Sequence, residues 1–228
     1  MVIADTVVST RAYRPRTPTT DIANRVTRVA IGLGLFGAGI SCMLQAQLGV
    51  SPWEMFHKGV SRKTDISVGI IIEVVGFLML LLWIPLRQRP GIGTVMNVIE
   101  IGAMVNLVSP HLPATNRLVP RIVMLVIGIL IIAVGSGIYI GAGLGPGPRD
   151  GLMMGLKARG LSVRLGRTII ELTVGLAGFL LGSRPGIGTF LFMFGIGPLV
   201  QVFLPIFSLP TRHPTRQPTR RPPSDSVG

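Results

Sequence analysis

The chain has 228 residues, and its 22 Lys and Arg against 9 Asp and Glu give a formal net charge of +13. Charged residues nevertheless make up only 14% of the chain, whereas about 25% is usual in a soluble domain. The charges lie between long neutral stretches, and 29–53, 122–148 and 185–211 each exceed the roughly 20 residues that cross a hydrocarbon core. This composition excludes a soluble, basic nucleic-acid-binding protein and predicts a polytopic membrane protein.

The apolar stretches predict an all-α membrane protein with about six transmembrane helices. A β-barrel is not expected, because the apolar runs are continuous and do not alternate with polar residues. In chain order, the predicted spans are 29–49, 67–86, 92–110, 120–143, 165–183 and 187–208.

The two tails, 1–28 and 209–228, are basic and are predicted to be disordered. The second contains Pro-Thr-Arg three times. This pattern favours a solvated polybasic segment near anionic lipid, and a binding site for a specific partner is the alternative. Of the Lys and Arg residues, 16 lie on the side of the predicted membrane that carries both tails and six on the other. The positive-inside rule therefore predicts that both termini are cytoplasmic.

The sequence repeats itself after about 96 residues. The segment Arg89–Thr94 recurs without change as Arg184–Thr189, and Leu48–Glu54 matches Leu144–Asp150. We therefore predict a first membrane repeat over 29–110 and a second over 120–208. Each repeat contains a long span, a Gly/Pro break, a short amphipathic helix and two further spans.

Three crossings in each repeat would insert the two halves in opposite directions. If the short helix also crossed, the halves would be parallel, but its roughly 12–15 residues are fewer than an ordinary span needs. We therefore expect inverted repeats, which in transporters place the binding site near the midplane between the halves.

The short helices have clear start signals. Ser51 can cap the first, Pro52 suits its first position, and Glu54 would complete a capping box. Pro148 and Asp150 hold the same places in the second. Each helix either lies in the membrane interface or re-enters the membrane. If they re-enter, their N-termini would attract anions, an effect that the acidic residues partly cancel.

Glu73, Glu100 and Glu171 lie inside hydrophobic stretches, where a charged carboxylate is costly. They either lock helices together through hydrogen bonds or exchange a proton or cation beside a central cavity. Glu73 and Glu171, as repeat mates, are the candidates for coupling, and Arg167 is a candidate partner for Glu171. The candidate substrate or ion pathway comprises Pro52, Glu54, Glu73, Asn97, Glu100, Asn106, Pro148, Arg149, Asp150, Glu171 and Gln201.

No catalytic, metal or cofactor site can be assembled from the sequence. Cys42 is the only cysteine, and the three histidines are far apart. No Ser/His or paired-Asp arrangement is present, so we do not expect an enzyme.

The segment Gly143–Leu152, together with Arg-Pro-Gly-Ile-Gly-Thr in both halves, resembles the YczE-like members of the YczE/YyaS/YitT family of bacterial integral membrane proteins. The resemblance covers residues 25–208. In the first copy, Ser51-Pro52-Trp53-Glu54 replaces the Gly-Pro-Arg-Asp version. The resemblance implies a protein of the bacterial cytoplasmic membrane, with some relatives regarded as exporters, and it supplies no catalytic residues.

A small-solute transporter or exporter with a midplane site is the leading functional hypothesis. The alternatives are a membrane accessory protein that supports a biosynthetic or assembly pathway through helix contacts, and a passive channel. The expected partners are the lipid bilayer and an unidentified small solute or ion, not nucleic acid. The sequence leaves homo-oligomerisation open.

Overall fold

A computed structural model describes the backbone of residues 19–209 and the side chains of 22–162 and 165–209. Within this range the chain forms eight α-helices, without strands, and one short 3-10 turn at Ser109–His111. The helices are α1 (Thr19–Ala46), α2 (Pro52–Thr64), α3 (Val68–Trp83), α4 (Ile92–Val108), α5 (Leu118–Gly141), α6 (Pro148–Lys157), α7 (Val163–Leu180) and α8 (Ile187–Phe207).

Each of the six predicted spans coincides with a helix, but the start of the first was wrong. Helix α1 begins at Thr19, so residues 19–28 are helical and do not belong to a disordered tail. Arg25 explains this early start, because it is buried and donates a hydrogen bond from Nη1 to the Ala142 carbonyl at 2.8 Å. The predictions for 1–18 and 210–228 lie outside the described residues.

Among the described residues, fewer than six helices have the length and composition of a membrane span. Four meet both conditions: Ile22–Ala46, Ile92–His111, Leu118–Gly141 and Ile187–Phe207. A fifth candidate is the pair of α2 and α3, which is bent by 115° at the break between them. Helix α3 alone has only 16 residues, and α7 carries two Arg and one Glu. The fold is therefore all-helical with four to five candidate spans.

Large apolar side chains cover the outside of the bundle. Such a surface is rare on a soluble monomer and is usual where lipid is the solvent. Among the described residues with more than half of their surface exposed are Ile31, Phe77, Leu82, Ile99, Leu107, Val119, Leu172, Leu180, Phe190, Phe194 and Ile206.

The centre of the bundle is the crossing of α1 and α5. Gly32 packs against Gly135, and Gly39 packs against Gly128, so the two helices run antiparallel. A Cβ added to Gly39 would lie 2.7 Å from the Gly128 carbonyl oxygen. Small residues of this kind let membrane helices approach closely. Buried apolar residues around the crossing form the core: Val29, Leu33, Ile40, Met43, Leu125, Ile129, Ile132 and Tyr139.

The loop after α1 and the loop after α5 each form a hydrogen bond with the opposite half. The Leu48 carbonyl accepts a hydrogen bond from the Gly188 N–H at 2.8 Å, and the Leu144 carbonyl accepts one from the Gly93 N–H at 3.0 Å. These are repeat-related pairs in which each loop bonds the helix start of the opposite half. Gly49 and Gly145 have φ of +111° and +132°, which other residues rarely adopt.

The bundle has two ends, which we name by their contacts. At the tail end, where α1 begins and α8 finishes, the Leu209 N–H donates to the Gly141 carbonyl at 3.1 Å. At the far end, Gln45 Nε2 donates to the Ser109 carbonyl at 2.9 Å, and Arg121 Nε donates to the Ala46 carbonyl at 2.8 Å.

The halves differ in how their last two long helices pack. In the first half, α3 and α4 are in close contact, because Gly69 meets Gly102 and its N–H donates to Asn106 Oδ1 at 3.1 Å. In the second half, Arg167 is the repeat mate of Gly69, and α7 and α8 have no comparable contact. A Cβ added to Gly197, the mate of Gly102, would meet nothing within 4 Å. The first half is therefore closed at this interface and the second is open.

Candidate functional site

The starts of the two short helices lie close to each other inside the bundle. Both begin as predicted, with Pro52 and Pro148 at the first helical positions. The predicted capping box is wrong, however, because the Ser51 hydroxyl is buried without a hydrogen bond. The Glu54 side chain instead reaches across to the other short helix.

Glu54 and Arg149 join the two helix starts through an ion pair. Arg149 Nη2 lies 3.1 Å from Glu54 Oε1, and the Glu54 side chain is only 5% exposed. The Arg149 guanidinium also lies over the Trp53 ring, with Cζ 4.7 Å from the ring centroid. A buried carboxylate needs such a partner, and the aromatic face adds further attraction for the cation.

Trp83 fixes α6 beside this ion pair. Its indole N–H donates to the Pro148 carbonyl at 3.0 Å, and its ring packs directly on Gly151. No side chain larger than hydrogen fits at Gly151 without displacing the ring. The tryptophan therefore sets the position from which Arg149 reaches Glu54.

Three polar groups meet around Gly147, the residue before α6. A Cβ added there would lie 3.3 Å from the Tyr139 hydroxyl, 3.4 Å from Asp150 Oδ2 and 3.7 Å from Asn97 Nδ2. Tyr139 comes from α5 and Asn97 from α4, so these groups link the helix start to both halves.

Glu171 is the third carboxylate of this region. It faces the indole N–H of Trp53 and lies within electrostatic reach of Arg149, Arg167 and Glu54. The Trp53 N–H is buried and has no hydrogen bond of normal geometry, so the approach of Glu171 is close but not a direct bond. We call Glu54, Arg149, Asp150, Arg167 and Glu171 the central charged cluster.

A cavity of about 480 Å³, open on the outer surface of the bundle, adjoins the central charged cluster between α2, α7 and α8. Its wall is mainly apolar, with Leu172, Leu176 and Phe192 among the residues that line it. Arg167 and Glu171 supply the charge, and Thr168 and Thr189 supply hydroxyl groups. An apolar cavity with a few convergent polar groups is the usual form of a small-molecule site.

His57 was not among the residues predicted from the sequence. It is 1% exposed, and both ring nitrogens lack a hydrogen-bond partner within the described residues. Its ring lies beside Trp53 and Phe56, with centroids 6.3 Å and 6.0 Å away. Its spacing after Trp53, four residues on one helix face, was the available signal, but helical spacing alone does not show which face is buried.

Four predicted pathway residues lie away from the cluster. Glu73 and Asn106 lie in the closed interface of α3 and α4, where Glu73 packs on Gly102. Glu100 is half-buried, and its Oε1 lies near Gly34 of α1. Gln201 is exposed on α8. The structure thus brings Pro52, Glu54, Asn97, Pro148, Arg149, Asp150 and Glu171 together and leaves these four outside.

No metal site is formed by the described part of the chain, in which no three His, Cys, Asp or Glu side chains are grouped so that they could hold an ion.

The chain is similar to several bacterial proteins over most of its length. It matches a family of unknown function, DUF6198, over residues 23–205. It is 35% identical over 182 residues to an uncharacterised protein of Haemophilus influenzae, covering 79% of this chain and 84% of the relative. It is 29% identical over 185 residues to the uncharacterised protein YyaS of Bacillus subtilis, covering 77% and 90%.

A third relative is described by its cellular location. The uncharacterised membrane protein YczE of Bacillus subtilis is 33% identical over 192 residues, with 81% of this chain and 87% of YczE covered. No solved structure matches the chain significantly. These matches, with the apolar helices, make the chain an integral membrane protein that belongs to the DUF6198 family and is similar to YczE.

Proposed function

We propose that the protein is a small-solute transporter or exporter whose solute occupies the cavity between α2, α7 and α8. One observation carries this proposal: the cavity is bordered by the charged cluster where the two short helices begin. Solute sites in transporters are commonly built where interrupted helices start near the midplane. The proposal assigns no catalytic step to any residue.

The proposal includes six crossings arranged as two inverted halves. Repeat mates α1 and α5 run antiparallel, and their glycine contacts centre near residues 35–36 and 131–132, which are themselves mates at the repeat spacing of about 96 residues. The exchanged bonds of Leu48 and Leu144 obey the same twofold relation. Both observations support inversion, since parallel repeats would align the mates in the same direction.

We further propose that α2 and α6 re-enter the membrane. Helix α2 packs alongside α7, with Pro52 at Gly175 and Gly59 at Gly178, so its C-terminus points to the far end of the bundle. Helix α6 packs alongside the end of α3. The two N-termini therefore meet inside while the C-termini diverge. Their positive dipole ends favour negative charge, which Glu54 and Asp150 supply.

An alternating-access mechanism is supported by the difference between the closed interface of α3 and α4 and the open interface of α7 and α8. The open arrangement of α7 and α8 becomes closed if α8 moves onto α7, and the closed pair of α3 and α4 then opens. Pro198 makes α8 easier to bend, because proline cannot donate the backbone hydrogen bond to the carbonyl four residues earlier. Glu171 would be accessible in one state and Glu73 in the other, so both could carry proton or cation coupling.

The same proposal covers location and partners. The excess of Lys and Arg on the tail side supports a bacterial cytoplasmic membrane protein with both termini in the cytoplasm. The bilayer and a small solute or ion are its partners, nucleic acid is not, and oligomerisation stays open.

Cysteine accessibility tests whether the cavity is a water-accessible path. In a Cys42→Ser background, Thr168→Cys lies on the cavity wall and Phe194→Cys on the outer surface of α8, where Phe194 is 76% exposed. We expect a charged, membrane-impermeant thiol reagent to modify position 168 in liposomes and to leave position 194 unmodified in lipid. An unreactive position 168 would contradict the proposal and favour the accessory function.

Coupling is measured in the same liposomes with an internal pH-sensitive dye. We expect Glu171→Gln and Glu73→Gln each to slow the decay of an imposed pH gradient. Asp65→Asn is the matched control, because Asp65 is an exposed acid at the end of α2. If the pH gradient decays at the same rate in all three variants, neither glutamate carries the coupling.

A further inference from the structure

We propose that the far end of the bundle contains a separate binding site for a phosphate-type anion. The site is a pocket of about 290 Å³ beside the C-terminal part of α2 and the turn between α7 and α8. Lys58, Arg62, Ser183 and Arg184 line it, together with Gln47. We call these residues the basic pocket.

The charge of the basic pocket is unbalanced. Three cationic side chains line it, and no carboxylate is among its lining residues. In the central charged cluster, by contrast, Arg149 and Arg167 both lie near carboxylates. Cations held together in a pocket repel each other, and a bound anion relieves that repulsion while accepting charge-assisted hydrogen bonds.

A buried hydroxyl also points to a ligand in this pocket. Ser183 is 3% exposed, and its Oγ has no hydrogen-bond partner within the described residues. Buried polar groups are usually paired, so each exception needs an explanation. An oxyanion in the pocket would accept the Ser183 hydrogen bond.

Arg62 is held in place by a hydrogen bond that leaves other N–H donors of its guanidinium unused. Its Nη1 donates to the Gly182 carbonyl at 3.1 Å, which ties α2 to the turn after α7. A guanidinium has five N–H donors, and this bond uses one of them. Arg62 can therefore hold the wall of the pocket and still bind an anion.

Two residues of the basic pocket, Lys58 and Ser183, occur in only one half. In the other half, the repeat mates of Lys58 and Ser183 are Met154 and Gln88, so the equivalent place has neither residue. Lys58 and Ser183 therefore do not belong to the framework that the two halves share. This difference favours a role in binding.

The pocket adjoins the cavity of the proposed transporter without depending on it. Met55 lines both, so an anion bound in the basic pocket would lie one side chain from that cavity. The anion is either a lipid headgroup phosphate or a free phosphate-type solute. Binding can be measured whether or not transport occurs.

The test uses the full chain, freed of lipid in an uncharged detergent. Inorganic phosphate is titrated at constant ionic strength while thermal unfolding is followed. In parallel, the protein is placed in phosphatidylcholine nanodiscs with and without phosphatidylglycerol, and retained lipid is detected by native mass spectrometry. Stabilisation by phosphate indicates a free anion, and selective retention of phosphatidylglycerol indicates a headgroup. Either result supports the site.

The variant pair is Lys58→Gln with Arg184→Gln, and the matched control is Lys63→Gln with Arg89→Gln. Lys63 is an exposed neighbour on α2, and Arg89 is the repeat mate of Arg184 outside the pocket. We expect the pocket pair to weaken binding at least tenfold, since two charge-assisted contacts are lost. The control pair should change it less than twofold.

Two results would overturn the site. One is the absence of both phosphate stabilisation and selective lipid retention in the unaltered chain. The other is an equal loss of binding in the pocket and control pairs, which would show attraction to net charge alone. If the pocket pair fails to fold, Ser183→Ala replaces it. This variant keeps every charge and should still weaken binding severalfold, and unchanged binding would overturn the site.

Discussion

Arg149 is the residue that connects the two halves at their centre. It pairs with Glu54, lies over the Trp53 ring and is near Asp150 and Glu171. Loss of Arg149 would leave Glu54 buried without its partner, whereas loss of Glu54 would leave Arg149 with other carboxylates nearby. The two partners of this ion pair are therefore not equivalent.

This asymmetry gives a ranked prediction for stability. We expect Arg149→Gln to lower the free energy of unfolding by about 3 kcal/mol, the low end for breaking a buried pair, because Arg149 is partly exposed. Glu54→Gln should cost less, and the double variant should cost less than the sum of the singles. Thermal unfolding in detergent, followed by circular dichroism, measures all three. Additive losses would mean that the pair does not contribute as a unit.

Single-residue patterns predicted the starts of the short helices but not their contacts. Ser51-Pro52 and Gly147-Pro148 mark helix starts locally, and both helices begin there. The partner of Glu54 could not be found in this way, because Arg149 lies 95 positions later and the pairing depends on how the halves pack. The burial of His57 could not be predicted locally either, because it also depends on how the helices pack.

At the scale of elements, glycines decide which helices are in close contact. Gly39 faces the Gly128 backbone in the crossing of α1 and α5, whereas a Cβ added to Gly195 on α8 would meet nothing within 4 Å. The same residue type is therefore required in one helix and free to vary in the other.

We predict opposite outcomes for alanine at these two positions. Gly39→Ala should destabilise the protein by about 1–3 kcal/mol, because the added methyl group meets backbone that cannot move aside. Gly195→Ala should be neutral or stabilising, since alanine is the better helix former. The unfolding temperatures of the two variants check this. Equal losses would place α8 in a tighter environment than the structure describes.

The long neutral runs predicted the helices well, because continuous apolar sequence is a local signal. The open interface of α7 and α8 was not predicted, although the two repeats differ in sequence at the matching position. Gly69 lets α3 approach α4, and Arg167 stands at the matching place on α7. The early start of α1 was also missed, because Arg25 is stabilised by the distant Ala142 carbonyl.

At the scale of the whole molecule, the account depends on the opposite insertion of the two halves. Antiparallel mates, exchanged loop bonds and two distinct bundle ends all support this arrangement. If it is correct, Arg89 lies at the tail end and Arg184 at the far end, although both precede the same Pro-Gly-Ile-Gly-Thr sequence. The two positions are exposed and suit labelling from solution.

Two-sided labelling of these positions tests the arrangement most directly. Arg89→Cys and Arg184→Cys are made separately in a Cys42→Ser background, which removes the only native cysteine. A membrane-impermeant maleimide is applied to intact cells and to inverted membrane vesicles. The account predicts that position 184 is modified in intact cells and position 89 in inverted vesicles. Modification of both positions from the same side of the membrane would contradict it.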